Sequence, residues 1–201
     1  MKPLDGMQQS ALCEIGNIGS GHAATALAEI VGRRVMVSVP NVWVASPSGL
    51  LDGIPPGAPM LGAYFKVLGE PEGGILFALT RPNACKLLDL TIGKQLAPVT
   101  AWGAVEETSF KEAGLILCAA YLTALNQLMQ LRLIPSVPRI LAGKMTEVLR
   151  GAFEPQLAAC EGTVGVLNEF LETTTKLQAF FVFVPEPEGL ALMLDRLGVA
   201  K

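Results

Sequence analysis

Ser10–Pro40, SALCEIGNIGSGHAATALAEIVGRRVMVSVP, returns 98 positions later as Thr108–Pro138, TSFKEAGLILCAAYLTALNQLMQLRLIPSVP. Under that offset Glu14 falls on Glu112, Gly16 on Gly114 and Ile18 on Ile116. Thr25-Ala26-Leu27 falls on Thr123-Ala124-Leu125, and Ser38-Val39-Pro40 on Ser136-Val137-Pro138, with no gap. Two copies of so long a period imply a duplicated half-domain rather than a solenoid.

Working outward, Leu12, Ile15, Ile18, Ala23, Ala26, Leu27 and Ile30 recur at helical spacing, which predicts a long helix from Ala11 to Val31. Ser10 is its expected N-cap and Gly32 its stop, after a non-helical lead-in through Gln9. Arg34–Val39 then alternates as a strand, and Asn41–Pro59 reads as a loop. Met60–Leu68 and Gly74–Thr80 form a predicted hairpin around Gly69–Gly73, and Pro82 opens a short helix over Asn83–Leu90.

The second half repeats the plan. Lys94–Trp102 is a linker, Glu106–Leu131 a second long helix capped at Thr108 or Ser109, and Leu131–Pro138 a strand. Ala142–Leu149 is a short helix or an irregular segment. A second hairpin, Thr163–Leu171 with Lys176–Val184, precedes a helix over Gly189–Leu197. The expected fold is α+β: one domain of two repeats, about 10–93 and 108–198, related by a pseudo-twofold, with two long helices on antiparallel strands.

With 51% hydrophobic and 16% charged residues, the chain is too apolar to be disordered. A net charge of -3 and no basic cluster argue against nucleic acid as a partner. Cys13, Cys85, Cys118 and Cys160 form no CxxC and read as reduced, packed thiols; a single histidine, His22, reads as packed or capping. No metal-ligand cluster is apparent, and the N-terminus lacks a signal-peptide layout, so the expected location is cytoplasmic. Ala113–Leu131 is uncharged and near spanning length, but it repeats a segment bearing His22 and Glu29, and a core helix without membrane insertion is the expectation.

Glu14 and Asn17, three residues apart, share one helix face with Ser10. Gly16, Gly19 and Gly21 each cost the helix about 1 kcal/mol relative to alanine, which implies close approach by the sister helix or by an outside partner. Gly16–Gly21 lacks both the GKS/GKT ending and the GxGxxG spacing of phosphate loops.

Glu14–Leu27, EIGNIGSGHAATAL, closely resembles the signature helix of the CheC/CheX/FliY family of chemotaxis phosphatases, and the chain as a whole a CheC-like member. Ser10, Glu14, Asn17 and Pro40 match the family pattern at every spacing. The resemblance implies hydrolysis of the aspartyl phosphate of a CheY-like response regulator. Asn17 would orient the attacking water, Glu14 would dock on the regulator's lysine, Ser10 and Gly16 would support the helix, and Pro40 would mark the strand end. It implies no cofactor of the chain's own, Mg2+ being held by the regulator, and a second partner in CheD. Gly16 and Gly19 would let the helix insert closely into the regulator. In the second copy Glu112 and Pro138 match while Leu115 replaces the asparagine, which implies a degenerate site. The alternative is a non-catalytic adaptor of the chemotaxis or flagellar-switch machinery, binding CheD or a regulator.

Overall fold

The computed structural model describes residues 4–44, 57–93, 103–159 and 164–200. Its first half runs α1 (Gly6–Val31), β1 (Val35–Val37), β2 (Asn41–Val44), β3 (Pro59–Leu68), β4 (Gly73–Thr80) and α2 (Arg81–Ile92). Its second runs α3 (Ala104–Met129), β5 (Ile134–Pro135), β6 (Arg139–Lys144), α4 (Met145–Ala159), β7 (Val164–Glu172), β8 (Leu177–Pro185) and α5 (Pro187–Arg196). The fold is α+β. All pairings are antiparallel, in one sheet ordered β1-β7-β8-β4-β3-β5, with β2 also on β7 and β6 also on β3.

The central strands bury both faces, so their residues divide by parity. Ile75, Phe77 and Leu79 of β4 join Ala179, Phe181 and Phe183 of β8 in the core beneath α1, α2, α3 and α5. Leu76 and Ala78, with Phe180, Val182 and Val184, face the opposite way onto Met145, Val148, Leu149, Ala152 and Phe153 of α4.

Each half lends its short strands to the other half's hairpin, and the registers correspond. Val37 pairs with Phe170 as Pro135 pairs with Val67, and Asn41 with Leu167 as Arg139 with Tyr64. Helix and short strands are offset by 98 positions, the hairpin's first strand by 103 (Tyr64 to Leu167); the longer second-half connection contains α4. Ser38 donates N–H to Glu169 O (2.9 Å) and accepts Glu169 N–H at Oγ (3.1 Å). Ser136 does the same with Lys66, both at 2.9 Å.

Several expectations are corrected. α1 begins at Gly6, not Ala11, because Asp5 and Gln8 form a capping box: Asp5 Oδ1 accepts from Gln8 N (2.9 Å) and Gln8 Oε1 from Asp5 N (3.1 Å). Ser10 therefore lies inside the helix, where its hydroxyl donates to Gly6 O (2.8 Å); it is no cap. In α3 the cap is Gly103, whose N–H the Glu106 carboxylate accepts (3.0 Å), so Thr108 and Ser109 are also interior. The strand expected over Leu131–Pro138 shrinks to Ile134–Pro135, because the Asn126 carboxamide holds Leu133 by both N–H (2.7 Å) and C=O (2.9 Å). Asn41–Val44, expected as loop, is β2 on β7. Arg139–Lys144 is β6, so α4 starts at Met145 instead of Ala142 and runs well past Leu149. Residues 45–56 of the expected loop, the linker 94–102 and Cys160 lie outside the described residues.

Candidate functional site

α1 is sorted by side. Leu12, Ile15, Gly16, Gly19, Ser20, Ala23, Ala24 and Leu27 are buried against the sheet and α3, whereas Met7, Ser10, Glu14 and Asn17 are exposed. These four stand at successive three- and four-residue steps, so they line one stripe, with the Glu14 and Asn17 Cβ atoms about 5–6 Å apart. Neither the Glu14 carboxylate nor the Asn17 carboxamide has a partner among the described residues. The Asn17 carbonyl accepts the Ser20 hydroxyl (3.2 Å), a backbone contact that leaves the side chain available.

The glycines divide differently from expectation. A Cβ on Gly16 would lie 2.7 Å from Val166 Cγ1 and 2.9 Å from Pro40 Cβ; one on Gly19 would lie 2.5 Å from Tyr121 Cε2. Both are buried, so their bare backbone admits the protein's own residues, and neither can serve insertion into a partner. Gly21, the next step along the exposed stripe, has nothing within 4 Å of a built Cβ. The spacing from Asn17 to Pro40 acquires a physical meaning here. The chain leaves α1 at Gly32 (φ 63°), passes through β1 and returns so that buried Pro40 seats against Gly16. Pro40 thus fixes the helix from behind. His22 is exposed, neither packed nor capping.

The second copy keeps the layout with altered contents. Thr108, Glu112 and Leu115 are exposed on α3, and Leu115 retains 38% of its surface. Gly114 lies over Ala63 and Phe65, at 3.3 and 3.2 Å from a built Cβ, as Gly16 lies over Val166; Pro138 is only half-buried. The asymmetry reaches the layer below. The counterpart of Phe65 under the β-hairpin offset is Asn168, fully buried, with no partner for either carboxamide atom among the described residues. Sequence reading missed Asn168, because a lone asparagine in a strand gives no signal until the halves are aligned by register.

Among the described residues no three His, Cys, Asp or Glu side chains are placed to hold a metal ion. A cavity of about 760 Å3 beside the β3–β4 turn is lined by Glu70, Glu72, Glu186 and Glu188, a set of like charges that would repel a phosphoryl group. Cys118 is buried, and burial pushes its thiol up, away from reactive thiolate; Cys13 and Cys85 are half-buried. α3 is long and apolar enough to cross a membrane by length and composition, yet Phe110, Leu117, Cys118, Tyr121 and Leu125 on it are buried in this protein's core.

Residues 7–44, which contain the exposed stripe and its Pro40 support, match the model of the CheC-like family. Over 137 residues the chain is 32% identical to the CheY-P phosphatase CheC of Bacillus subtilis, covering 66% of this chain and 65% of that protein. It is 26% identical over 147 residues to the flagellar motor switch phosphatase FliY of the same organism, covering 72% of this chain and 38% of FliY. The chain thus spans about two thirds, or less, of the length of these curated relatives. In fold it is similar to Thermotoga maritima FliY (TM-score 0.75, 19% identity, 98% and 99% of the two chains). It is also similar to the chain of a Borrelia burgdorferi CheX–CheY–BeF3–Mg2+ complex (TM-score 0.59, 11% identity, 85% and 96%). The match to the CheC-like family model thus covers the segment that carries the stripe, and similarity to CheC and FliY extends beyond it over about two thirds of the chain.

Proposed function

We propose that the α1 face hydrolyses the aspartyl phosphate of a CheY-like response regulator, with Asn17 and Glu14 as the acting residues. The observation that carries this reading is the sorting of α1, which turns its carboxylate and carboxamide outward, without partners, on a helix fixed from behind by Pro40 and Tyr121. A relative named as a CheY-P phosphatase and a fold neighbour crystallised with CheY support the same substrate class.

Phosphoryl transfer to water needs positioning and charge stabilisation more than covalent chemistry. Asn17 Oδ1 accepts one O–H of a water and directs its oxygen at phosphorus, opposite the aspartyl oxygen. The new P–O bond forms as the bond to the aspartyl oxygen breaks. The aspartate leaves as carboxylate, inorganic phosphate is released, and the water's surplus proton passes to solvent. Glu14 meets the regulator's lysine and sets the register of the helix, while Mg2+ sits in the regulator's own site. Gly21 leaves room beside Asn17 for the partner's backbone.

The test is phosphate release from phosphorylated CheY-type regulators, with and without this protein. Asn17→Ala should lose about 10²-fold, or about 2.7 kcal/mol of barrier lowering, with the melting temperature unchanged because the site is exposed. Wild-type release by Asn17→Ala would remove the residue from the mechanism. The adaptor reading, with CheD or a regulator as ligand, predicts instead a bound regulator whose phosphate lifetime is unaltered. The exposed Leu115 favours that behaviour for the α3 face alone.

A further inference from the structure

The core beneath α1 contains a carboxamide. Asn168 on β7 is fully buried, and neither atom of its amide has a partner among the described residues. A buried amide without hydrogen bonds is costly, and native proteins satisfy such groups with protein atoms or ordered water. Strand parity sets its direction. Val166 and Phe170, two residues to either side, share its face: Val166 backs Gly16 and Phe170 lies in the core under the long helices, while Leu167 turns to the α4 side. α1 ends at Gly32, and β1 then pairs Val35 with Glu172, so from Gly16 to Val31 the helix follows β7 from Val166 toward Glu172. Four helical residues rise about 6 Å and two strand residues about 6.7 Å. Ser20, one turn past Gly16 on the same buried side, is therefore level with Asn168.

Ser20 is also fully buried, and its hydroxyl donates to the backbone carbonyl of Asn17 (3.2 Å). The hydroxyl oxygen retains lone pairs for a further bond. The sister half has neither group. Ser20 corresponds to Cys118 and Asn168 to Phe65, both fully buried, beneath the turn that carries Leu115. These two positions are thus a hydroxyl and an amide only under the turn that carries Asn17. Side-chain volume agrees: exchanging Phe65 for Asn168 removes more than exchanging Ala63 for Val166 adds, by about one heavy atom, the size of a water.

We propose that Asn168 is a positioning residue for the α1 reaction, joined through one internal water to the Ser20 hydroxyl and so to the backbone of Asn17. The inference rests on the α1 reading above. The water accepts from Asn168 Nδ2 and donates to Ser20 Oγ, whose own proton stays on Asn17 O. This chain ties the turn that carries the reactive carboxamide to β7 and limits its tilt while Asn17 directs the attacking water. Leu115 has nothing to direct, and its turn rests on the ring of Phe65 at Gly114 instead.

The experiment measures steady-state phosphate release from the CheY-type regulator on which the protein acts, for Asn168→Leu, Ser20→Ala and the two combined, with urea denaturation of each. Asn168→Leu removes the buried amide at nearly constant volume, so the fold should stand. Its kcat should nevertheless fall by about tenfold at unchanged KM, because docking is untouched and only orientation is lost. Ser20→Ala should lose as much, and the double variant no more than either alone, since all three break one link. A crystal structure of the protein should place a water within hydrogen-bond distance of both side chains. Wild-type kcat in Asn168→Leu beside a deficient Asn17→Ala would overturn the link and leave the α1 assignment standing. Additive losses, a rise in KM alone, or an Asn168 amide bonded to a protein group rather than to water would equally overturn it. If Asn17→Ala releases phosphate as wild type does, both readings fall.

Discussion

Substituting alanine at two glycines of one helix, two residues apart, should stabilise the protein at one position and not at the other. At Gly21 the added methyl meets nothing within 4 Å, and the position is interior to α1, so only the helical preference changes. That preference favours alanine over glycine by about 0.8–1.0 kcal/mol. In a domain of this size the gain amounts to roughly 2–4 °C in Tm. At Gly19 the same preference applies, but the new Cβ would lie 2.5, 2.7 and 2.9 Å from three carbons of the Tyr121 ring. That ring has nowhere to go. It is fully buried and packed on Phe181 and Phe183, with centroids 4.9 and 5.8 Å away. Overpacking of this kind costs about 1–3 kcal/mol, which equals or exceeds the helical gain, leaving Gly19→Ala neutral to about 2 kcal/mol less stable. Urea denaturation of both variants measures the difference directly. A cycle with Tyr121→Leu should show the two positions coupled, the Gly19→Ala penalty shrinking once the ring is gone. If Gly19→Ala stabilises as much as Gly21→Ala, the helices do not meet in this way and the inward placement of Gly19 is wrong.

Two further changes test the core and the second hairpin. The Tyr121 hydroxyl is buried with no partner among the described residues, and burial pushes its pKa up; Tyr121→Phe removes the unsatisfied group and should raise stability by about 1 kcal/mol in the same urea assay, a loss of that size revealing a hydrogen bond instead. Glu172 accepts from the Thr175 hydroxyl (2.6 Å) and from the backbone N–H groups of Thr174 and Thr175 (2.7 Å each), which hold its carboxyl down at about 2 against the ordinary 4.5. Because the folded state favours the ionised form, this contribution is complete above about pH 4.5 and is lost as pH falls toward 2. Glu172→Gln should therefore melt lower than wild type at pH 7, and the gap should narrow through that acid window; a gap independent of pH would show that the carboxylate's charge is not what matters.

The sequence pattern located the long helices, the two hairpins and the short helices, because each carries a strong local signal. Helical periodicity marks α1, the Gly69–Gly73 turn closes β3 on β4, and Pro82 with Gly93 brackets α2. The failures share a cause, since they lie where a non-local or side-chain bond decides. Asp5 and Gln8 start α1 six residues before its first periodic apolar residue, Leu12, and Glu106 caps α3 from within. β2 and β6 are strands only because a hairpin from the opposite half offers its edge. Arg139–Lys144, with Gly143 and two cations in six residues, has no alternation of its own. The site was legible to the same degree. Glu14 and Asn17 could be placed on one face by counting, but the direction of that face could not, and the glycines, which were open to two readings, turned out to point inward at Gly16 and Gly19.

That inward placement bears on how the two halves of this fold can differ at one outer position without losing their shared shape. The residues that hold α1 in place, Gly16 against Pro40 and Gly19 against Tyr121, are on the opposite side from Asn17. Exchange of the halves carries Gly19 to Leu117 and Tyr121 to Ala23, both fully buried, so the small–large pair Gly19–Tyr121 corresponds to the residues Leu117 and Ala23 of reversed size. Nothing in that packing consults the outer stripe. Asparagine or leucine at its centre leaves the strand registers, the serine ties and the helix seating untouched, so a change of chemistry on one face costs the framework little. A mutation in the inner set, by contrast, is felt by both faces at once, because α1 and α3 lean on each other.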